Sequence, residues 1–438
     1  MAQTSHIAAA EDSLGPLTEI AVTGLFGDRD FTLPLDPRLT VLTGENGSGK
    51  STLLKAIRLL AEEHWEDLFK LPLTSLRLAF ADGLTLEAES SAHALSVRSG
   101  GKEWIFDAEA AESIDPRVLF ELRRARREPG QDRVLRGSGM WRGELLYGRN
   151  IDQEQVAHLV APEWLSELAP RFHTQLISAR RLEHRLRPDP STRGEEMPVP
   201  VVDQFASELQ ELMKTHLSRY AANSRRQEKN LPTQIVEAMQ GPTQDPEVLL
   251  KEVEELRSEV RDLAAALARV GLFQEEEPDQ FADQQYETNN AQILLAVREV
   301  YLVAKGRFEQ LTKLRSDLEL FSSFLNERFS NKHIELNQQV GIAVELDSGE
   351  RIAPSQLSSG EQQLLALAYE LLFGSVPGTL VLLDEPELSL HVAWLQGLLG
   401  AFLDMGDGRN LQFVIATHSP SVLRGHLDRE RSLDLASI

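Results

Sequence analysis

The run LTVLTGENGSGKSTLLK, from Leu39 to Lys55, constrains this chain more than any other stretch of it. Leu39 to Thr43 reads as a short apolar strand, GENGSGKST as a tight turn, and the residues from Lys50 as the start of a helix. Gly44, Gly47 and Gly49 let the backbone curl so that successive N–H groups and the helix N-terminus face one point, where a polyphosphate fits. The spacing G-x-x-x-x-G-K-[ST] falls on Gly44, Gly49, Lys50 and Ser51, in the strand-to-helix context that identifies a phosphate-binding loop. Lys50 is placed to reach β/γ-phosphates and Ser51 to set its hydroxyl on Mg²⁺. Gly44, Glu45, Asn46, Gly47, Ser48, Gly49, Lys50, Ser51 and Thr52 are thus the expected nucleotide-binding set. A glycine-rich turn that merely caps a helix is the bland alternative.

At 438 residues, 42% hydrophobic and 26% charged, the chain has the length for two or three domains and the composition of a soluble globular protein. No window approaches the roughly 18 uninterrupted apolar residues of a membrane span. MAQTSHIAAAEDSLG lacks the basic start and apolar run of a signal peptide, so a cytoplasmic location without membrane contact is expected. The absence of cysteine excludes disulfides, thiol catalysis and Cys-ligated zinc. A net charge of -23 argues against a generally basic surface, so any DNA contact must come from local patches or from a partner.

Residues 1–15 read as a polar tail and 16–110 as the N-terminal half of an α/β nucleotide-binding domain. In that half, LTEIAVTGLF and DFTLPLD are β-type runs, and Leu53, Leu54, Ile57, Leu60 and Ala61 mark one face of the helix after the loop. SLRLAFADGLTLEAE turns at Asp82-Gly83 and HALSVRSGGKEWIF at Ser99-Gly100-Gly101, which predicts an antiparallel β-subdomain. Residues 111–202 form an arginine-rich segment, with nine arginines and no lysine between Arg117 and Arg149. Arginine forks suit phosphates, while a solvated helix face followed by a loose loop explains the same composition. A second cluster, ARRLEHRLRP, follows the strand-like HTQLIS, and there Arg180 or Arg181 is a candidate nucleotide sensor.

Residues 203–330 read as a helical insert, its first helix carrying Phe205, Leu209, Leu212, Leu217 and Tyr220 at helical spacing. Leu249, Val253, Leu256, Val260, Leu263, Leu267 and Val270 then alternate steps of four and three, the seam of a coiled coil. The pattern resumes at Ile293, Val297, Val300 and Ala304, misses at Arg307, and continues through Leu311, Leu314, Leu318, Phe321 and Leu325. Two such segments in series predict a short antiparallel coiled-coil hairpin, with simple packing of both helices on the body as the alternative.

Residues 331–438 read as the C-terminal half of the nucleotide domain. Strands are expected at HIELN and GIAVELDSGERI, and Ser358 or Ser359 caps the apolar helix of QLSSGEQQLLALAYELLF. The all-apolar run Leu380 to Leu383 suits a central parallel strand and ends in Asp384, placed to hold Mg²⁺, and Glu385, placed to polarise an attacking water. A further buried strand, LQFVIA, ends at Thr417-His418-Ser419.

In this order GENGSGKST, LSSGEQQ, LLDEPE and ATHSP resemble the Walker A, signature, Walker B and histidine-switch motifs of ABC-type ATPases, closest to the branch of SMC proteins, RecF and the OLD-family ATPases. The resemblance covers roughly 17–64 and 340–425 and implies an α/β P-loop NTPase of ABC type that uses ATP and Mg²⁺. It further implies a homodimer or higher even oligomer, in which Ser358, Ser359, Gly360 and Glu361 of one copy meet the γ-phosphate held by Lys50 and Ser51 of another. Glu385 and His418 would be the catalytic pair. EPELSLH, ending in His391, departs from the transporter D-loop and resembles OLD-type and related defence ATPases; His391 is a candidate reporter across the dimer. Gln175 is the candidate Q-loop glutamine. The insert lacks Cys-x-x-C, so it is not a zinc hook. The stretch after ATHSP is too short for the nuclease domain of OLD-family members. Similarity to stand-alone ATPases of PARIS- and Septu-type antiphage systems therefore implies a sensor or regulator of a separate effector, such as a nuclease. A RecF-like DNA-binding repair ATPase and a transporter nucleotide-binding subunit are the other readings.

Overall fold

The computed structural model describes residues 14–112, 158–178, 182, 199–241, 245–273 and 290–434. The arginine-rich stretch 117–149 and both Arg180 and Arg181 lie outside the described residues. The chain divides into two compact units, residues 1–179 with 374–438, and residues 180–373.

In the first unit the apolar runs become a parallel sheet. Its strands are β3 (Leu39–Thr43), β8 (Thr174–Ile177), β12 (Leu380–Asp384), β13 (Gln412–Ala416) and β14 (Glu430–Ser432), in the order β14-β3-β13-β12-β8. Strand β13 is buried at every position, and β3 and β12 at all but their last, which is why these sequences show no polar alternation. The alternating runs form the expected antiparallel sheet, β2-β1-β4-β5-β6-β7. It comprises β1 (Leu17–Leu25), β2 (Arg29–Pro34), β4 (Ser75–Phe80), β5 (Thr85–Ser90), β6 (Ala94–Ser99) and β7 (Lys102–Asp107). Helix α1 (Lys50–Ala61) buries Leu53, Leu54, Ile57 and Leu60, each worth roughly 1.5–3 kcal/mol. The buried Gln412 carboxamide joins the two sheets. It accepts from the Leu17 N–H at 2.8 Å and donates to the Leu17 and Asp36 carbonyls at 2.7 and 2.9 Å.

The second unit holds β9 (Lys332–Asn337), β10 (Gly341–Leu346) and β11 (Arg351–Ile352), antiparallel in the order β11-β10-β9. With them are helices α2 (Val201–Gln240), α3 (Pro246–Arg269), α4 (Ala291–Glu309), α5 (Thr312–Asn326) and α6 (Ser359–Tyr369). The signature stretch thus groups with the helices and not with the strands that follow it. Side-chain caps start two of the helices: Asp245 accepts from the Glu247 N–H at 3.0 Å and Asn290 from the Gln292 N–H at 3.0 Å. Gly341 allows α2 to lie directly on β10, since a Cβ there would stand 1.9 Å from the Ala206 carbonyl oxygen.

The heptad segments differ from expectation in direction and in register. Glu252 pairs with Arg298 at 3.6 Å and Glu259 with Lys305 at 2.7 Å, so both partners advance together and α3 and α4 run parallel. A connection as long as the one between them fixes no direction, unlike the short turn of a hairpin. The antiparallel neighbour of α4 is α2: Asn223 bonds Gln310 at 3.1 Å, while Glu228, further along α2, meets Arg307 at 3.2 Å. On α4 the seam is Leu294, Val297, Tyr301, Ala304 and Phe308, not Ile293 and Val300. This seam buries Leu294 and Tyr301, half-buries Phe308 and leaves Ile293 exposed. It also removes the miss at Arg307, whose Nε donates to the buried Ser224 hydroxyl at 3.0 Å. Leu311, Leu314, Leu318, Phe321 and Leu325 are buried as expected, with α5 packed on β9 and α6.

Zero-length carbodiimide coupling should therefore join Lys305 to Glu259 in the native protein, read by mass spectrometry of the cross-linked peptides. Coupling of Lys305 to Glu252 instead would restore the antiparallel arrangement.

Candidate functional site

Parallel pairing brings three loops to one end of the sheet. Strand β3 lies beside β13 and β13 beside β12, so Leu42, Ala416 and Asp384 stand in one row. The phosphate loop, the Asp384–His391 turn and Thr417–Ser419 follow from the carboxyl ends of these strands, where open α/β sheets bind ligands. Gly44, Gly47 and Gly49 have φ of 148°, 82° and 104°. Gly49 caps α1, and a Cβ there would meet Leu25 Cδ2 at 2.4 Å. Glu45, Asn46 and Gly47 are exposed, whereas Ser48, Gly49 and Lys50 are buried. Ser51 is exposed and Thr52 half-buried on the first turn of α1.

Lys50 Nζ donates to the carbonyls of Gly44 at 2.8 Å and Glu45 at 3.0 Å and to Ser48 Oγ at 3.1 Å. Burial pushes its pKa below the ordinary lysine value, against the pull of Asp434, Glu385, Asp384 and Glu387. Ser51 Oγ donates to Asp384 Oδ1 at 2.8 Å. Burial raises the Asp384 carboxyl; the Ser51 hydrogen bond opposes this and the Glu385 charge adds to it. A serine hydroxyl and a carboxylate in contact at the mouth of a phosphate loop are the hard oxygen donors that suit Mg²⁺ sharing its shell with phosphate and water. Among the described residues no group of three or more His, Asp or Glu could hold a metal on its own.

Glu385 follows β12 with φ 48°, a left-handed conformation costly for a glutamate. Its N–H donates to the Ala416 carbonyl at 2.9 Å, and its Oε1 lies 3.5 Å from His418 Nε2. The two expected catalytic residues therefore face each other beside Lys50 and Ser51. Glu387, absent from the expected set, ties the two strand ends together: it accepts from the buried Thr417 hydroxyl and from the His418 N–H at 3.2 Å. Its place in DEPE was the available signal. Asp434, which no motif flags, accepts from the Glu45 N–H at 2.8 Å.

Other expected residues sit elsewhere. Gln175 is within β8, opposite Val381, and its carboxamide accepts from Ser375. His391 caps the short helix Val392–Leu395, its Nδ1 accepting from the Ala393 N–H at 3.2 Å. The signature residues belong to the second unit. Ser358 precedes α6, and its N–H and hydroxyl donate to Glu361 Oε2 at 2.9 and 2.8 Å. Lys332 Nζ meets Glu361 Oε1 at 2.9 Å. Burial alone would raise the Glu361 carboxyl, but hydrogen bonds from Lys332 and Ser358 outweigh it and hold the carboxyl below its ordinary value. Ser358 and Ser359 are exposed and Gly360 is buried. Arg181 lies outside the described residues.

Residues 273–424 match the family described as "AAA domain, putative AbiEii toxin, Type IV TA system", and residues 23–62 match one described as "AAA domain". Over 69 residues the chain is 41% identical to Protein ea59 of Escherichia phage lambda, covering 16% of this chain and 13% of that protein. Over 95 residues it is 36% identical to an uncharacterized ABC transporter ATP-binding protein of Mycobacterium tuberculosis, covering 22% of this chain and 35% of that one. The chain thus spans well under two thirds of either relative. Among solved structures, the Smc head domain with an extended coiled coil bound to the C-terminal domain of ScpA, from Pyrococcus furiosus, aligns at 15% identity and TM-score 0.36 over 93% of this chain and 91% of that one. The SMC head domain from Thermotoga maritima aligns at 12% identity and TM-score 0.37 over 93% and 91%. Likeness that weak assigns nothing. Residues 23–62 and 273–424 are thus similar to AAA-domain sequences, and a further match is to an ABC transporter ATP-binding protein, in keeping with the phosphate-loop geometry. No helix among the described residues is long and apolar enough to cross a membrane.

Gly49→Ala should lower thermal stability by about 1–3 kcal/mol and abolish nucleotide binding, since the new Cβ meets both an unfavourable φ and Leu25. Calorimetric melting and titration with nucleotide check both. The Glu361 carboxyl, held low in the folded protein, stabilises it above the ordinary carboxylate range, and that stability is lost as pH falls through the folded value. Lys332→Met should cost about 2 kcal/mol and move the acid-side loss of thermal stability to higher pH. An unchanged melting profile against pH would contradict the pairing.

Proposed function

We propose that this chain binds and hydrolyses ATP with Mg²⁺ as an ABC-type ATPase, closes in pairs on ATP, and thereby controls a separate effector, such as a nuclease, in antiphage defence. The observation that carries the ATPase reading is the meeting of Lys50, Ser51, Asp384, Glu385 and His418 at adjacent strand ends. In this reading Lys50 leaves the loop carbonyls for the β/γ-phosphates, with loop N–H groups around them. Ser51 and Asp384 hold Mg²⁺, which neutralises charge developing on the phosphates. Glu385 takes the proton of the attacking water, and His418, 3.5 Å away, is set to contact the γ-phosphate. Thr417 and Glu387 keep the histidine backbone fixed to the strand that carries Glu385.

Pair formation rests on Ser358 and Ser359, exposed at the N-terminus of α6. A second helix N-terminus adds favourable interaction with the γ-phosphate only while that phosphate is there. Closure would then report ATP against ADP. The defence role draws on the PARIS- and Septu-like motif set, on a family description naming a toxin of a Type IV TA system, and on similarity to a phage protein. It is fold-level analogy.

Light scattering with and without ATP and Mg²⁺ tests the switch. Wild type should gain mass transiently with ATP, and Glu385→Gln should hold the larger species with turnover reduced by at least about a hundredfold, the lower end of a general base's contribution. Ser358→Arg should bind ATP yet stay small. A mass indifferent to nucleotide in all three proteins would discard ATP-driven pairing while leaving the ATPase reading to the turnover measurement.

A further inference from the structure

Asp434 lies outside every motif in the sequence, yet it stands beside the phosphate loop. Strand β14 runs parallel to β3 with Ser432 opposite Thr43, and the Leu433 N–H donates to the Thr43 carbonyl at 2.9 Å. The Thr43 hydroxyl donates to Glu430 at 2.7 Å, which fixes the same register from the side chains. This pairing delivers Asp434 just beyond the end of β3, where its Oδ2 accepts from the Glu45 N–H at 2.8 Å. The other half of that peptide unit, the Gly44 carbonyl, accepts from Lys50 Nζ at 2.8 Å. In a trans peptide the C=O and N–H point in opposite directions. One peptide plane is therefore held between an ammonium on one side and a carboxylate on the other.

That plane adjoins Gly44, whose φ of 148° is open to glycine and which has no side chain to resist rotation. A Cβ at Gly44 would meet Ser48 Oγ at 2.8 Å and Asp434 Oδ1 at 3.2 Å, so the glycine and the carboxylate occupy one fitted space. When Lys50 turns to a phosphate, the Gly44 carbonyl loses its partner. If the plane then rotated, the carbonyl oxygen would be free to point at the anion.

We propose that Asp434 is a positioning residue for nucleotide binding, holding the Gly44–Glu45 peptide plane so that Lys50 can leave for a phosphate without the loop turning over behind it. The proposal rests on the nucleotide reading of the loop. It separates two effects of one side chain: the carboxylate charge disfavours a polyphosphate nearby, and the hydrogen bond keeps the loop receptive. Asp434→Asn keeps an oxygen acceptor for the Glu45 N–H and removes the charge. Asp434→Ala removes both, and because Asp434 is exposed the fold should survive either change.

The test uses the full chain, with mant-ATP and Mg²⁺ for binding, steady-state ATP turnover, and amide hydrogen exchange of the loop in the nucleotide-free protein. Asp434→Ala should weaken binding and raise KM about tenfold, leave kcat within about twofold, and speed exchange of the loop amides. Asp434→Asn should stay within about threefold of wild type, or bind more tightly, with wild-type exchange. Wild-type binding and exchange in Asp434→Ala would overturn the proposal, as would equal impairment of both variants. If wild-type protein binds no mant-ATP, the nucleotide reading itself fails, and the exchange comparison still decides whether Asp434 braces the loop.

Discussion

The register of three parallel strands is the constraint on which this site depends. Leu42 of β3, Ala416 of β13 and Asp384 of β12 stand side by side, although they come from opposite ends of the chain. Slipping β12 by one residue would move Asp384 by roughly 3.3 Å and turn it to the other face of the sheet. The 2.8 Å contact between Ser51 and Asp384 and the approach of His418 to Glu385 would both be lost. Register is held by close packing on both buried faces, since a slip would drive every side chain into a space shaped for another.

Around the loop the charges set a second constraint. Asp384, Glu385, Glu387 and Asp434 all act on the single ammonium of Lys50. Such a site would repel a bare triphosphate, since like charges a few ångströms apart interact by about 4 kcal/mol even at an effective dielectric near 20. A divalent cation arriving with the nucleotide inverts that balance. In the proposed reading the carboxylates would therefore favour a metal-bound nucleotide over a free one, and the chain's overall charge of -23 would act in the same direction. The left-handed Glu385 fits this picture. Its conformation is costly, yet its N–H is bonded to the Ala416 carbonyl and its carboxylate lies 3.5 Å from His418 Nε2.

What the sequence made legible follows from how locally each feature is encoded. GENGSGKST, LLDEPE and ATHSP each specify a strand end and its turn within about ten residues, and the paired strands around Asp82-Gly83 and Ser99-Gly100-Gly101 are set by their own turns. The direction of α3 against α4 is not local, and heptads alone do not encode it. The seam on α4 was ambiguous because Ile293-Val300 and Leu294-Tyr301 both fit a seven-residue step; the larger side chains took the buried side. Asp434 could not be read at all, since its role arises from β14 pairing with a strand almost 390 residues earlier.

The turn before α6 shows how a surface can be rigid by itself. Glu361 is 8% exposed, and Lys332 neutralises it while its other oxygen gathers the N–H and hydroxyl of Ser358. The turn before α6 is thereby fixed by an ion pair to β9, with Ser358 and Ser359 left exposed. On the first unit, the strand register and the Lys50 contacts fix the phosphate loop in the same way. In the proposed mechanism two such preformed surfaces respond to a γ-phosphate with little more than the turn of the Lys50 side chain away from the loop carbonyls. The energy of closure then goes into the contact across the nucleotide and not into folding a loop, which is what lets the loss of one phosphate reverse it.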